Sequence, residues 1–71
     1  MTRSEYDKLK LKLPKRYRLI LRKRLNKYSL SAISSVLRGA YVNNEIIDAA
    51  IQLAEEYQNE LQKYSKKIEQ L

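Results

Sequence analysis

The side chains best suited to meet another molecule gather between residues 29 and 38. Serines stand at 29, 31, 34 and 35, and Arg38 closes the run. A hydroxyl both donates and accepts, and a guanidinium donates through a planar fork. Such groups bind phosphate oxygens and base edges; they do not break bonds unaided. The usual activating base for such hydroxyls is missing, because the 71-residue chain has no histidine, and it has no cysteine either. The absence removes the commonest general base, the thiol nucleophile and Cys-based zinc sites. A single glycine rules out a glycine-rich phosphate loop. Glu55 with Glu56, and Asp48 near Glu45, read as solvated helix faces rather than acid pairs. The expectation is a binding protein, not an enzyme, with no cofactor, no metal and no evident small-molecule ligand.

Charge points to the kind of partner. Residues 1–38 carry twelve Lys/Arg against Glu5 and Asp7, and residues 39–71 carry Lys63, Lys66 and Lys67 against six acids. The halves are therefore +10 and −3, which add to the overall +7. A field polarised in this way favours a polyanion on the basic half. The plainer reading is a solubilising surface.

The elements that must position these groups follow from spacing. One Gly and one Pro imply few turns and mostly helix. Thr2 and Glu5 are spaced as a capping box, and Tyr6, Leu9 and Leu13 share one helix face. Lys8 to Leu13 also alternates with period two, a strand pattern. With no partner strand elsewhere, a helix over 3–11 is expected, or else a mobile basic arm. Pro14 suits the first turn of a second helix, 15–25. That helix is amphipathic, with Tyr17, Ile20, Leu21 and Leu25 on one face and Lys15, Arg16, Arg18, Arg22 and Lys23 on the outer one. Asn26 and Lys27 break the pattern. Ser29 then caps a short helix, 29–38, whose Ile33, Val36 and Leu37 form a buried stripe. Gly39 stops it. Two helices joined by so short a turn must cross and pack, which is a helix-turn-helix. Tyr28 and Tyr41 flank the short helix, each able to pack or to give its hydroxyl to a phosphate. Packing is the expectation for Tyr28.

Asn43 caps the last helix, with Val42 and Ile47 placed as a hydrophobic staple. From there to Leu71 neither Gly nor Pro occurs. About 28 residues would span roughly 42 Å, more than a domain of this size needs. Ile47, Ala50, Ala54, Tyr57, Leu61, Tyr64, Ile68 and Leu71 alternate by three and four as a heptad seam. Ile46, Ile51 and Leu53 widen the stripe only in the first half. The division expected is a body over 1–54, whose last helical part is 44–54, and a continuation over 55–71. The continuation would pair through Tyr57, Leu61, Tyr64, Ile68 and Leu71, most simply in a homodimer. The alternative is a monomer whose helix folds back or frays. No run approaches the length of a membrane span and no signal-peptide core opens the chain. The protein is therefore expected to be soluble and cytoplasmic, with no membrane partner.

From Ile20 to Glu56 the chain resembles the helix-turn-helix of phage-repressor and lactose-repressor type DNA-binding domains. The residues that carry the likeness are Leu21, Leu25, Tyr28, Ser29, Ile33, Ser34, Val36, Leu37 and Gly39. The run Ser29-x-x-x-Ile33-Ser34-x-Val36-Leu37-x-Gly39 is similar to the one in those families. Asn43-Asn44-Glu45-Ile46-Ile47-x-Ala49-Ala50 looks like the start of their next helix. About half the chain is covered. The resemblance implies a transcriptional regulator, often a dimer on a two-fold operator. Three positions depart from the family pattern. The turn at Asn26-Lys27 is one residue longer. Arg22 replaces a small residue at the helix crossing, so its stem bends outward or the crossing angle differs. Ser35 stands where a long base-reading side chain is common.

The full expectation is a small all-α protein of about four helices that binds double-stranded DNA. Helix 29–38 would enter the major groove, with Leu30, Ser31, Ser34, Ser35 and Arg38 near base edges. Lys15, Arg16, Arg18, Lys27, Ser29, Tyr41 and Asn43 would meet phosphates. A protein-interaction module on the same helices is the alternative, motivated by the small serine face. RNA binding is a third reading, which lacks a stacking platform of aromatic residues on a sheet.

Overall fold

Thr2 begins the first helix by satisfying its free backbone donors. Its hydroxyl accepts from the Glu5 N–H at 3.2 Å, and the Glu5 carboxylate accepts from the Thr2 N–H at 3.2 Å. This reciprocal cap starts α1, Arg3–Lys12, in a computed structural model that describes residues 2–71. The period-two alternation of Lys8–Leu13 is thus resolved as helix. Leu9 and Leu13 are buried and Leu11 is left in solvent, 84% exposed.

Leu13 is extended, the conformation favoured before proline. The Tyr17 N–H donates to the Pro14 carbonyl at 3.1 Å, closing a turn. The second helix, α2, therefore runs Tyr17–Arg24, two residues later than the expected start. Pro14 lies in the turn before it rather than in its first helical turn. Arg16 takes the N-cap position without a side-chain cap bond.

Ser29 accepts from the Ala32 N–H at 3.1 Å and opens α3, Leu30–Leu37. Its other end is closed by backbone bonds. The Gly39 N–H donates to the Val36 carbonyl and the Ala40 N–H to the Ser35 carbonyl, both at 3.0 Å. This double closure requires a left-handed residue, and Gly39 has φ +84°. The Asn43 side chain then accepts from the Glu45 and Ile46 N–H groups, opening α4, Asn44–Glu69. The expected staple is absent. Val42 is 80% exposed and leaves Ile47 to be buried by other residues, because the 40–42 loop swings Val42 to the solvent side.

The architecture is all-helical, with no strand among the described residues. Helix α4 is the spine, touching each of the other three, while α2 packs on α3. The core holds Tyr6, Leu9 and Leu13 from the α1 segment, Leu21 from α2 and Ile33, Val36 and Leu37 from α3. Helix α4 adds Ile46, Ile47, Ala50, Leu53 and Ala54. Tyr17, Ile20, Leu25 and Tyr28 close the sides half-buried. Ile51 does not join the core; it stands at the rim of an open groove between α1 and α4. No polar or charged residue is buried among the described ones.

The cover over α4 ends within one turn. Ala54 is buried, Tyr57 and Gln58 are half-buried, and every later residue is exposed. The Gln58 amide donates to the Lys12 carbonyl at 3.2 Å, marking where α1 stops. At 1.5 Å per residue the 26 residues of α4 span about 39 Å, so its last third projects beyond the other helices. No helix among the described residues is long and apolar enough to cross a membrane.

Candidate nucleic-acid interface

Helix α3 turns its buried stripe onto α2 and α4 and leaves the opposite face to solvent. Ser31 and Arg38 are exposed; Leu30, Ser34 and Ser35 are half-buried. All five expected base-facing residues therefore lie on or beside the open face. The Arg38 guanidinium donates to the Ser35 hydroxyl at 3.4 Å, which lays the arginine along the helix end. A serine at position 35 thus supports the long side chain three residues later.

The expected phosphate ligands fall into two groups. Ser29, Tyr41 and Asn43 line a shallow cleft of about 490 Å³ together with Ser31 and Ser35. The hydroxyl of Ser29 and the amide oxygen of Asn43 are already used as caps, so Ser29 retains its O–H and Asn43 its NH₂ as donors. Tyr41 is 70% exposed, with its ring in solvent rather than packed. Lys15, Arg16 and Arg18 surround the start of α2, all exposed. Arg16 joins Arg22 and Lys23 around an open cleft of about 580 Å³ floored by Leu19 and Ile20. Arg22 has its stem outward, on this solvent side of α2.

Lys27 is placed differently from the others. Its ammonium is 2.9 Å from the Glu45 carboxylate, which also accepts from the Tyr28 hydroxyl at 2.9 Å. The ammonium also lies 5.5 Å from the centre of the Tyr28 ring. The three residues tie the α2–α3 turn to the first turn of α4. Hydrogen bonding to Glu45 raises the Lys27 pKa. Hydrogen bonds from Lys27 and then Tyr28 lower that of Glu45. Both groups are thereby held charged, and as an ion pair Lys27 and Glu45 add no net charge to the surface, unlike Lys15, Arg16 or Arg18. Tyr28 both packs against the core and gives its hydroxyl, but to a carboxylate of the same chain.

Two features escaped the sequence reading. Arg24 is bound by Glu56 at 2.8 Å, bridging α2 and α4. Arg3 and Lys10 of α1 border a cleft of about 460 Å³ with Arg38 and Gly39. The basic surface thus runs from the end of α3 onto α1. Asp7, 3.5 Å from Lys10, is the acid in that cleft. Both features join residues far apart in sequence, and only the charge asymmetry of the first 38 residues hinted at them.

No family profile, curated protein or solved structure matches this chain.

Proposed function

We propose that the protein binds double-stranded DNA, as a small dimeric regulator that sets α3 in the major groove. The observation that carries this reading is the open face of α3, a short capped helix packed behind by α2 and α4, in a molecule whose α2 segment and α3 end bear uncompensated cations. Lys15, Arg16, Arg18, Arg22, Lys23 and Arg38 form no ion pair among the described residues. They would hold phosphates while Ser31, Ser34 and Ser35 approach base edges. Arg38 is the one side chain on that face able to fork onto a guanine. Direct readout is then modest, and phosphate contacts supply most of the affinity. The side-chain NH₂ of Asn43, left over from its capping bonds at the start of α4, would be a further phosphate donor.

Titration of labelled duplex DNA across a salt series tests this. Six phosphate contacts give a log–log slope of about −5. A flat slope removes the electrostatic mechanism. Structured RNA at matched salt should bind more weakly than duplex.

One observation favours a protein-interaction module as the second reading. Tyr41 and Val42 are exposed apolar side chains at or beside the serine cleft. Ser31→Glu with Ser35→Glu separates the two readings. Loss of DNA binding supports groove entry, whereas unchanged DNA binding removes α3 from the contact surface.

A further inference from the structure

The exposed stripe on the projecting end of α4 lies on the same side of the helix as the core. Residues 47, 50 and 54 are buried, and 57, 61, 64, 68 and 71 continue their three-and-four spacing without a skip. Leu61, Tyr64, Ile68 and Leu71 are 43%, 56%, 68% and 103% exposed. The helix therefore presents one apolar face along its whole length. The part up to Gln58 is covered by α1, α2 and α3, and the part beyond it is bare.

That shared face restricts how two copies can pair. Packed helices lie about 8–10 Å apart. In a parallel pair both bodies would stand at the same end, each on the face turned toward the other helix. Each body adds at least one layer of helices on that face, itself about 8–10 Å from α4, so two bodies cannot fit into such a gap. In an antiparallel pair each body lies beyond the tip of the other tail, and the conflict disappears. We infer that the protein self-associates through an antiparallel pair of α4 tails. This rests on the dimer of the proposed function but is independent of DNA as the ligand.

The charges flanking the stripe fit the same arrangement. Glu60 and Lys67 precede Leu61 and Ile68 by one residue, in equivalent heptad positions. Such positions face one another in an antiparallel pair, so Glu60 meets Lys67 of the second copy, twice by symmetry. In a parallel pair Glu60 would face Ser65 and gain no opposite charge. The register that joins Glu60 to Lys67 also sets Leu61 against Tyr64 and Ile68 against Tyr57. It brings the end of the partner helix level with residue 56, where the body begins. There a cleft of about 310 Å³, with Pro14, Ile20, Leu53 and Tyr57 beside the charged Arg24, Glu56 and Glu60, borders the position of the last apolar side chain.

The chain has no native cysteine, so introduced thiols report single contacts. Sedimentation equilibrium first establishes the dimer. Chains carrying Glu60→Cys and Lys67→Cys are then mixed in a glutathione buffer, with Leu71→Cys alone in parallel. The expected result is a disulfide between positions 60 and 67 and no enrichment of a 71–71 disulfide. A 71–71 disulfide, or a dimer without the 60–67 bond, overturns the antiparallel arrangement and leaves dimerisation intact. A chain that stays monomeric at every concentration overturns the dimer itself, and salt-dependent DNA binding is then judged separately. Glu60→Lys should weaken the dimer about tenfold by turning two attractions into repulsions, and adding Lys67→Glu should restore it.

Discussion

At the scale of the residue, the start and stop groups of α3 set the geometry of its exposed face. Removing the Ser29 hydroxyl strands a backbone donor at the helix start. Ser29→Ala should cost about 1 kcal/mol in urea unfolding. Gly39 is left-handed, and an added Cβ would rest 3.5 Å from the Tyr6 ring, an ordinary contact. The penalty of Gly39→Ala is therefore backbone strain alone, about 1–2 kcal/mol. If it matched a typical exposed-site alanine substitution instead, the left-handed closure would be immaterial to stability. Glu45, Lys27 and Tyr28 predict a pH dependence. The Glu45 pKa is lowered from 4.5, so its contribution is present above that value and is lost as pH falls through the folded-state pKa. The Lys27 pKa is raised from 10.5, so its contribution is present below that value and is lost as pH rises through the folded-state pKa. Between these limits the tie is intact. Stability curves of the parent and Glu45→Gln should run parallel there and converge toward acid.

At the scale of the element, most of what is observed is local chemistry. The caps at Thr2, Ser29 and Asn43 and the stop at Gly39 were legible in the sequence because each acts within one turn of chain. The apolar faces of α2, α3 and α4 were legible because helical period places them, although on α2 only Leu21 is fully covered and Ile51 of α4 stays outside the core. Val42 was misread for the opposite reason, since a staple depends on the path of the preceding loop, and that path is set by the exit from Gly39. The start of α2 was misread because Pro14 can begin a helix or close the turn before it, and here the Pro14 carbonyl is taken by Tyr17. On the site, the serine face was legible from position on α3. The engagement of Lys27 with Glu45 was not, because the partners are 18 residues apart and meet only after α4 has docked. The Arg3–Lys10–Arg38 cleft was invisible for the same reason. Leu21 tests how elements depend on one another. It is fully buried on α2, and Leu21→Ala should cost about 2–5 kcal/mol, enough to leave a chain this small largely unfolded by circular dichroism.

At the scale of the whole molecule, charge and shape combine. The basic half of the sequence lines two clefts, one on α2 and one between α1 and the end of α3, while the acidic residues of α4 include two that hold Arg24 and Lys27. Arg38→Ala should lower DNA affinity about tenfold, with a loss that depends on the operator sequence. Arg18→Ala should weaken all sequences alike and reduce the salt slope by about one. If both variants behaved identically on specific and random duplexes, Arg38 would be a phosphate ligand like the rest.

Helix α4 runs without Gly or Pro from the middle of the core to the bare tip, so one continuous element belongs to both regions. Unwinding that starts at the tip has no built-in stop before it reaches Ala54 and the floor under α3. In the proposed antiparallel dimer, whatever holds the tips together therefore also guards α3 against melting. Folding and assembly then share one equilibrium, and thermal stability becomes a function of how much protein is present. The midpoint of melting should climb with concentration. A cell that makes few copies would hold not only fewer dimers but also a looser α3.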